Sequence, residues 1–185
     1  MKAFLREIAA GLRGILRFDA GAFRHFAHGG RGFLLSFLAA VAVLPFQAGI
    51  VWAGRVSEQV SDPARYSLFQ WLAYAVAWLA YPLLMVPIAR HFRCQGRYYT
   101  YFAAFNWFQV VEFALMTPII LLGALQLLPP GPAFLLWLLA TLGLLAYEWF
   151  LLRRGLGVDM STATALTIIN MLLTLLIYRV GELLS

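Results

Sequence analysis

Ala89-Arg-His-Phe-Arg-Cys-Gln-Gly-Arg-Tyr-Tyr-Thr-Tyr-Phe-Ala-Ala-Phe-Asn-Trp-Phe-Gln-Val-Val-Glu112 is the stretch on which the reading of the chain turns. It begins as a basic loop, turns at Gly96 and passes through a cluster of tyrosines into an apolar run. That run continues to about residue 128 and is longer than the roughly 20 residues that one bilayer crossing requires. Either the tyrosine-rich start projects into the headgroups, or Pro118 kinks the helix. Within the run, Asn106, Gln109 and Glu112 are carried towards bilayer depth. An apolar helix with polar residues inside it and arginines at its end is the pattern of a membrane span.

The flanking sequence has the same character. The 185 residues are 63% hydrophobic and 12% charged, against about 25% charged in an ordinary soluble domain. Long unbroken apolar runs replace the alternating segments of roughly ten residues that a membrane barrel would show, so the expected fold class is all-α. The spans are read at about 33–53, 68–89, within 98–128, 133–152 and 162–181, giving a five-helix transmembrane bundle over residues 33–185. A tight turn is expected at Leu128-Pro-Pro-Gly-Pro132. The second span carries Trp71, Tyr74, Trp78 and Tyr81, which read as interfacial belts. Its Ala73, Ala77 and Ala80 leave a small-residue flank on which another helix could close.

Residues 1–32 form a separate cytoplasmic segment. At about 100° per residue, Phe4, Leu5, Ile8, Leu12, Ile15 and Leu16 fall within an arc of about 120°, and Lys2, Arg6, Arg13 and Arg17 within about 60° elsewhere. This suits an amphipathic helix lying in the interface or packed on the bundle's own end. Gly11 and Gly14 weaken its intrinsic helicity. His25 and His28 stand three apart, but no Cys, Asp or Glu completes a metal set in the local sequence. The net charge of +6 sits mostly in this segment and in short loops, so it points to anionic lipid headgroups rather than nucleic acid. On the odd-numbered loops lie Lys2, Arg6, Arg13, Arg17, Arg24, Arg31, Arg90, Arg93, Arg97, Arg153 and Arg154; opposite them are only Arg55, Arg65 and Arg179. That bias predicts a cytoplasmic N-terminus and a periplasmic C-terminus in a bacterial inner membrane.

Ionisable groups inside a span are functional candidates by default. Tyr98, Tyr101, Gln109, Glu112 and Met116 share one side of the third span, continuing round to Tyr99 and Asn106. Asn170 in the fifth span should reach a comparable depth and is the expected partner of Glu112. Glu112 reads either as a proton-linked or cation-binding carboxylate, or as a structural carboxyl hydrogen-bonded to Asn170 or a tyrosine. Glu148 is expected to pair with Arg153 or Arg90. Cys94 lies among Arg90, His91, Arg93 and Arg97, whose charges would lower a thiol pKa. No nucleophile elbow, zinc helix or phosphate-cradling loop is present in the sequence, so neither an enzyme nor a cofactor is expected.

The basic, glycine-containing loop leading into Tyr101-x-x-x-x-Asn106-Trp107, behind a short N-terminal helix and within five spans, resembles the bacterial Yip1-domain family. The resemblance covers about 33–181 as architecture and about 90–107 as residues. It implies a non-enzymatic membrane protein that binds partners and organises membrane, with no catalytic residues to carry over. The functional expectation is therefore an inner-membrane scaffold or accessory subunit that binds lipids and a membrane-protein partner or a second copy of itself. The alternative is a small transporter or channel component using Glu112.

Overall fold

The computed structural model describes residues 2–26, 29–57 and 60–185. Within them the chain is all-α. Its helices are α1 (Lys2–Leu16), α2 (Gly29–Ser36), α3 (Leu38–Ser57), α4 (Pro63–His91), α5 (Gln95–Ala124), α6 (Pro130–Phe150) and α7 (Met160–Leu184). A 3₁₀ turn covers Ala20–His25 and a π-helical turn Leu151–Leu156. Taking α2 with α3 and α6 with the π turn, five helical segments are long and apolar enough to cross a membrane. The chain is thus a multi-pass helical protein, with an amphipathic helix ahead of the first span.

Local chemistry sets the ends of these helices. Asp62 caps α4 by accepting from the backbone N–H groups of Ala64 (3.1 Å) and Arg65 (3.0 Å), with Pro63 in the first turn. Asp159 caps α7 by accepting from Thr162 N (3.0 Å) and Thr162 Oγ1 (2.6 Å). The turn expected at Gly96 falls instead at Arg93, whose φ of 54° lies in the left-handed region. There Cys94 N donates to Ala89 O at 2.9 Å and closes α4, so Gly96 already belongs to α5. The turn over residues 128–132 is also shorter than expected. Pro130 is the first residue of α6, a position where a fixed φ and a missing N–H fit a helix start.

α5 remains one helix through Pro118, and most of its tyrosine-rich start packs inside the bundle, with Tyr99 left exposed. Tyr98 and every residue from Tyr101 to Phe108 are buried, because α1, α2, α3, α4, α6 and the π turn all pack around this helix. The close-packed core therefore sits at the α1 end of the bundle, formed by Ile8, Ile15, Phe26, Met85, Tyr101, Phe102, Leu152 and Leu156 among others. α1 lies across that end with Phe4 edge-on to Trp107 (6.0 Å between ring centres). The two glycines of α1 serve close approach. A Cβ on Gly11 would meet the Phe26 ring at 2.7 Å, and one on Gly14 would meet Ala22 at 2.7 Å. The returning 3₁₀ turn is held by His25, whose Nδ1 lies 2.8 Å from Glu7 Oε2. His28 lies outside the described residues.

Away from α1 the packing divides. α3 and α6 lie on α5, whereas α4 packs chiefly on α7; contacts of α4 with α3 and α5, and of α6 with α7, are sparse. The small flank of the second span is taken up inside this pair. A Cβ on Gly181 of α7 would stand 3.2 Å from Ala73 Cβ and 3.4 Å from Phe69 O.

Candidate intramembrane polar cavity

The parting of α4 and α7 from α3, α5 and α6 leaves a cavity of about 520 Å³ lined by all five spans. α5 contributes Phe105, Asn106, Gln109, Glu112, Phe113 and Met116, positions three or four apart that a helix gathers on one face. α7 contributes Asn170, α6 Thr141 and Glu148, α4 Trp78 and Tyr81, and α3 Gln47. The four polar residues singled out from sequence, Asn106, Gln109, Glu112 and Asn170, thus line a single space.

Their partnerships differ from expectation. The side chain of Asn170 is directed at Glu148, not at Glu112. Glu148 in turn makes no ion pair with Arg153 or Arg90. Arg153 donates to Val158 O at 2.7 Å and its guanidinium lies 5.9 Å from the Trp149 ring centre, while Arg90 is exposed. Sequence proximity suggested the pair, but the helix turns Glu148 inward and the arginines outward. Glu112 and Glu148 lie within electrostatic range of one another, with Tyr178 near Glu112 and Tyr81 and Tyr101 near Glu148. Both carboxyl residues are half-buried, walled in by helices but open to the cavity.

Three buried polar atoms on this lining have no hydrogen-bond partner among the described residues: Glu148 Oε1, Gln47 Nε2 and Thr141 Oγ1. Gln47 is only 1% exposed. An unmatched polar group away from water costs about 1–3 kcal/mol, and these three, from α3 and α6, are cost that the packing around the cavity carries. Gln47 and Thr141 were not singled out from sequence. A glutamine within an apolar run was the available signal for the former; a lone threonine gives none.

The cavity is shut towards α1. Its floor is Tyr81, Phe105 and Asn106; beneath it the Tyr81 and Tyr101 hydroxyls stand 3.2 Å apart. Asn106 Nδ2 donates to Ser36 Oγ at 2.8 Å, and Ser36 Oγ donates to Phe33 O at 2.6 Å. Tyr98 donates to Pro82 O (2.7 Å) and Tyr74 to Ala40 O (2.5 Å). Tyr74, Tyr81, Tyr98 and Tyr101 are therefore internal ties rather than an interfacial belt, since a phenol in a water-poor interior needs an acceptor. At the opposite end Tyr178 and Glu182 line both this cavity and an adjoining one of about 400 Å³, and Arg179 holds Glu182 at 2.8 Å.

The basic residues lie elsewhere. Lys2, Arg6, Arg13, Arg17, Arg90, Arg93 and Arg97 are all exposed, and the helix directions bring them to the α1 end. Arg97 lies against Gly157, where a Cβ would collide with its guanidinium and where the φ of 82° separately favours glycine. Cys94 corrects its expectation. Burial pushes its thiol up, against the lowering influence of Arg97, because the neighbouring cations face solvent while Sγ tucks 3.6 Å from Ala89 O.

Comparison with family models, with curated proteins and with solved structures finds no match for this chain.

Proposed function

We propose that this chain is a small multi-pass membrane protein of the transporter or channel-component class, whose cavity binds a cation beside Glu112 and Glu148. The observation that carries the reading is the meeting of two carboxyl groups, from α5 and α6, in one cavity where Glu148 Oε1 has no partner. An ionised carboxylate in apolar surroundings costs several kcal/mol unless a positive charge answers it. Lys and Arg are absent from the residues lining this space, so each carboxyl there is either neutral by protonation or answered by a cation that enters from outside. The arrangement is suited to binding and release.

We further propose a bacterial inner membrane, with the N-terminus cytoplasmic and the C-terminus periplasmic; the support is the charge bias. In that orientation the cavity is closed towards the cytoplasm and reaches towards the periplasmic end. The resemblance to Yip1-domain proteins enters as architecture, five spans behind a short helix. A scaffold or accessory subunit, held by anionic lipid and a membrane-protein partner or a second copy, is the second reading. It is favoured by the outer half of α6, where Phe134, Leu135 and Leu139 are exposed.

Two measurements test this. Purified protein is treated with dicyclohexylcarbodiimide, which modifies carboxyls reachable within lipid, and is read by intact mass with and without added cations. Modification at Glu112 or Glu148 that cations suppress is expected, with the wild type and not Glu112→Gln or Glu148→Gln moving charge in vesicles under a cation gradient. Unreactive carboxyls together with silent vesicles sink the reading. Elution in fixed ratio with a larger complex would then favour the accessory subunit.

A further inference from the structure

The lining of the cavity says which kind of cation it suits, an inference that rests on the cation-site reading above. Trp78 and Tyr81 of α4, Phe105 and Phe113 of α5, Trp137 of α6 and Tyr178 of α7 all line it. Aromatic faces attract cations within about 6 Å of the ring, and more strongly when water is excluded. A bare metal ion has different needs. Calcium takes about 6–8 oxygens at short range, and magnesium a tight octahedron. Here the oxygen donors are dispersed over several helices around a wide space, and among the described residues no three His, Cys, Asp or Glu gather as a metal site. A volume of about 520 Å³ lies within the roughly 300–1,000 Å³ of small-molecule sites.

We infer that the cavity takes an organic cation, an alkylammonium group held between the carboxyls of Glu112 and Glu148 and faced by the aromatic wall. Such a group reaches the cavity in one of two ways. It arrives as a free cation from the end marked by Tyr178 and Glu182, or as an amine-bearing lipid headgroup between α6 and α7, which touch only sparsely.

The test is titration of the full chain in detergent, followed by tryptophan fluorescence and calorimetry. The probes are benzyltriethylammonium for a free cation, dihexanoylphosphatidylethanolamine for a headgroup, and potassium and magnesium chloride for inorganic ions. Saturable binding of one of the two organic probes is expected, and which one binds identifies the source. Binding should weaken at least about tenfold in Glu112→Gln and in Glu148→Gln, and a few-fold in Trp78→Leu. Should a carboxyl variant fail to fold, an uncharged analogue of the binding probe, with carbon in place of nitrogen, replaces it on the wild type and should bind at least about tenfold more weakly. Equal binding of charged and uncharged analogues, or of wild type and folded carboxyl variants, overturns the inference. Binding of potassium or magnesium alone also overturns it while leaving the cation-site reading intact. Silence from all four probes, with carbodiimide labelling indifferent to cations, removes both.

Discussion

Asn106 shows what a single polar side chain does in a lipid-facing bundle. Its amide spans from α5 to Ser36 at the joint of α2 and α3, where the Ser36 hydroxyl also donates back to Phe33 O. The polar character of position 106 was legible in the sequence; its partner, 70 residues away, was not, because no periodicity within α5 encodes a distant helix. Cys94 makes the same point with a sharper consequence. Local charge argued for an activated thiol, and tertiary burial reverses the sign. A thiol held above its ordinary pKa carries less thiolate at neutral pH. Maleimide labelling of Cys94 should accordingly be slower than that of a free cysteine at about pH 7.5, and should gain on it as pH rises through the usual thiol range near about 8.5. Labelling at or above the free rate at neutral pH would mean that the arginines, not burial, govern the sulfur.

At the scale of elements, the helix caps carry a sequence signal, although the span reading began α4 only at about residue 68 where the helix starts at Pro63; the helix joints carry none. Asp62-Pro63 is a start signal in any sequence, and both residues act as one. Asp159 before α7 behaves similarly, with hydrogen bonds from Thr162 and from backbone amides holding its carboxyl below the ordinary range. A depressed carboxyl contributes stability that is complete above its unfolded value, near about pH 4, and that is lost as pH falls through the folded value. Asp159→Asn keeps a capping side chain without the titration. The variant should therefore show a flatter decline of thermal midpoint below about pH 4 than the wild type, measured by circular dichroism. Parallel acid limbs would show that this cap is not linked to folding. The π turn at Leu151–Leu156 had no sequence signature. It brings Gly155 against Phe23, where a Cβ would collide with the ring, and thereby joins α6 to the segment behind α1.

For the whole molecule, the decisive fact is the division into α4 with α7 and α3 with α5 and α6, since the polar cavity lies along that division. Gly181 is what lets α7 close on α4 at Ala73. Gly181→Leu should cost about 1–3 kcal/mol through overpacking, measured as the urea or thermal midpoint in mild detergent. Gly143→Leu, on α6 with nothing within 4 Å of the added Cβ, should leave the midpoint unchanged to within about 0.5 kcal/mol. Equal effects at the two sites would mean that the α4–α7 contact is not a fixed part of the bundle.

The sequence by itself determined the all-α class, the five apolar spans, the amphipathic character of α1 and the presence of carboxyl and amide groups inside the spans. Each of these follows from hydrophobic content, length or a period of 3.6 residues, which are properties of one segment at a time. The tertiary structure decided which helices meet. It turned Glu148 away from its neighbouring arginines and into the space of Glu112, took tyrosines expected at the interface into internal hydrogen bonds, and left Gln47 and Thr141 facing a cavity without partners. Those outcomes depend on the packing of side chains from helices distant in the chain. For the tyrosines, the need of a polar group in an apolar interior to find an answering atom fixed the partner, whereas Gln47 and Thr141 show packing prevailing over that need.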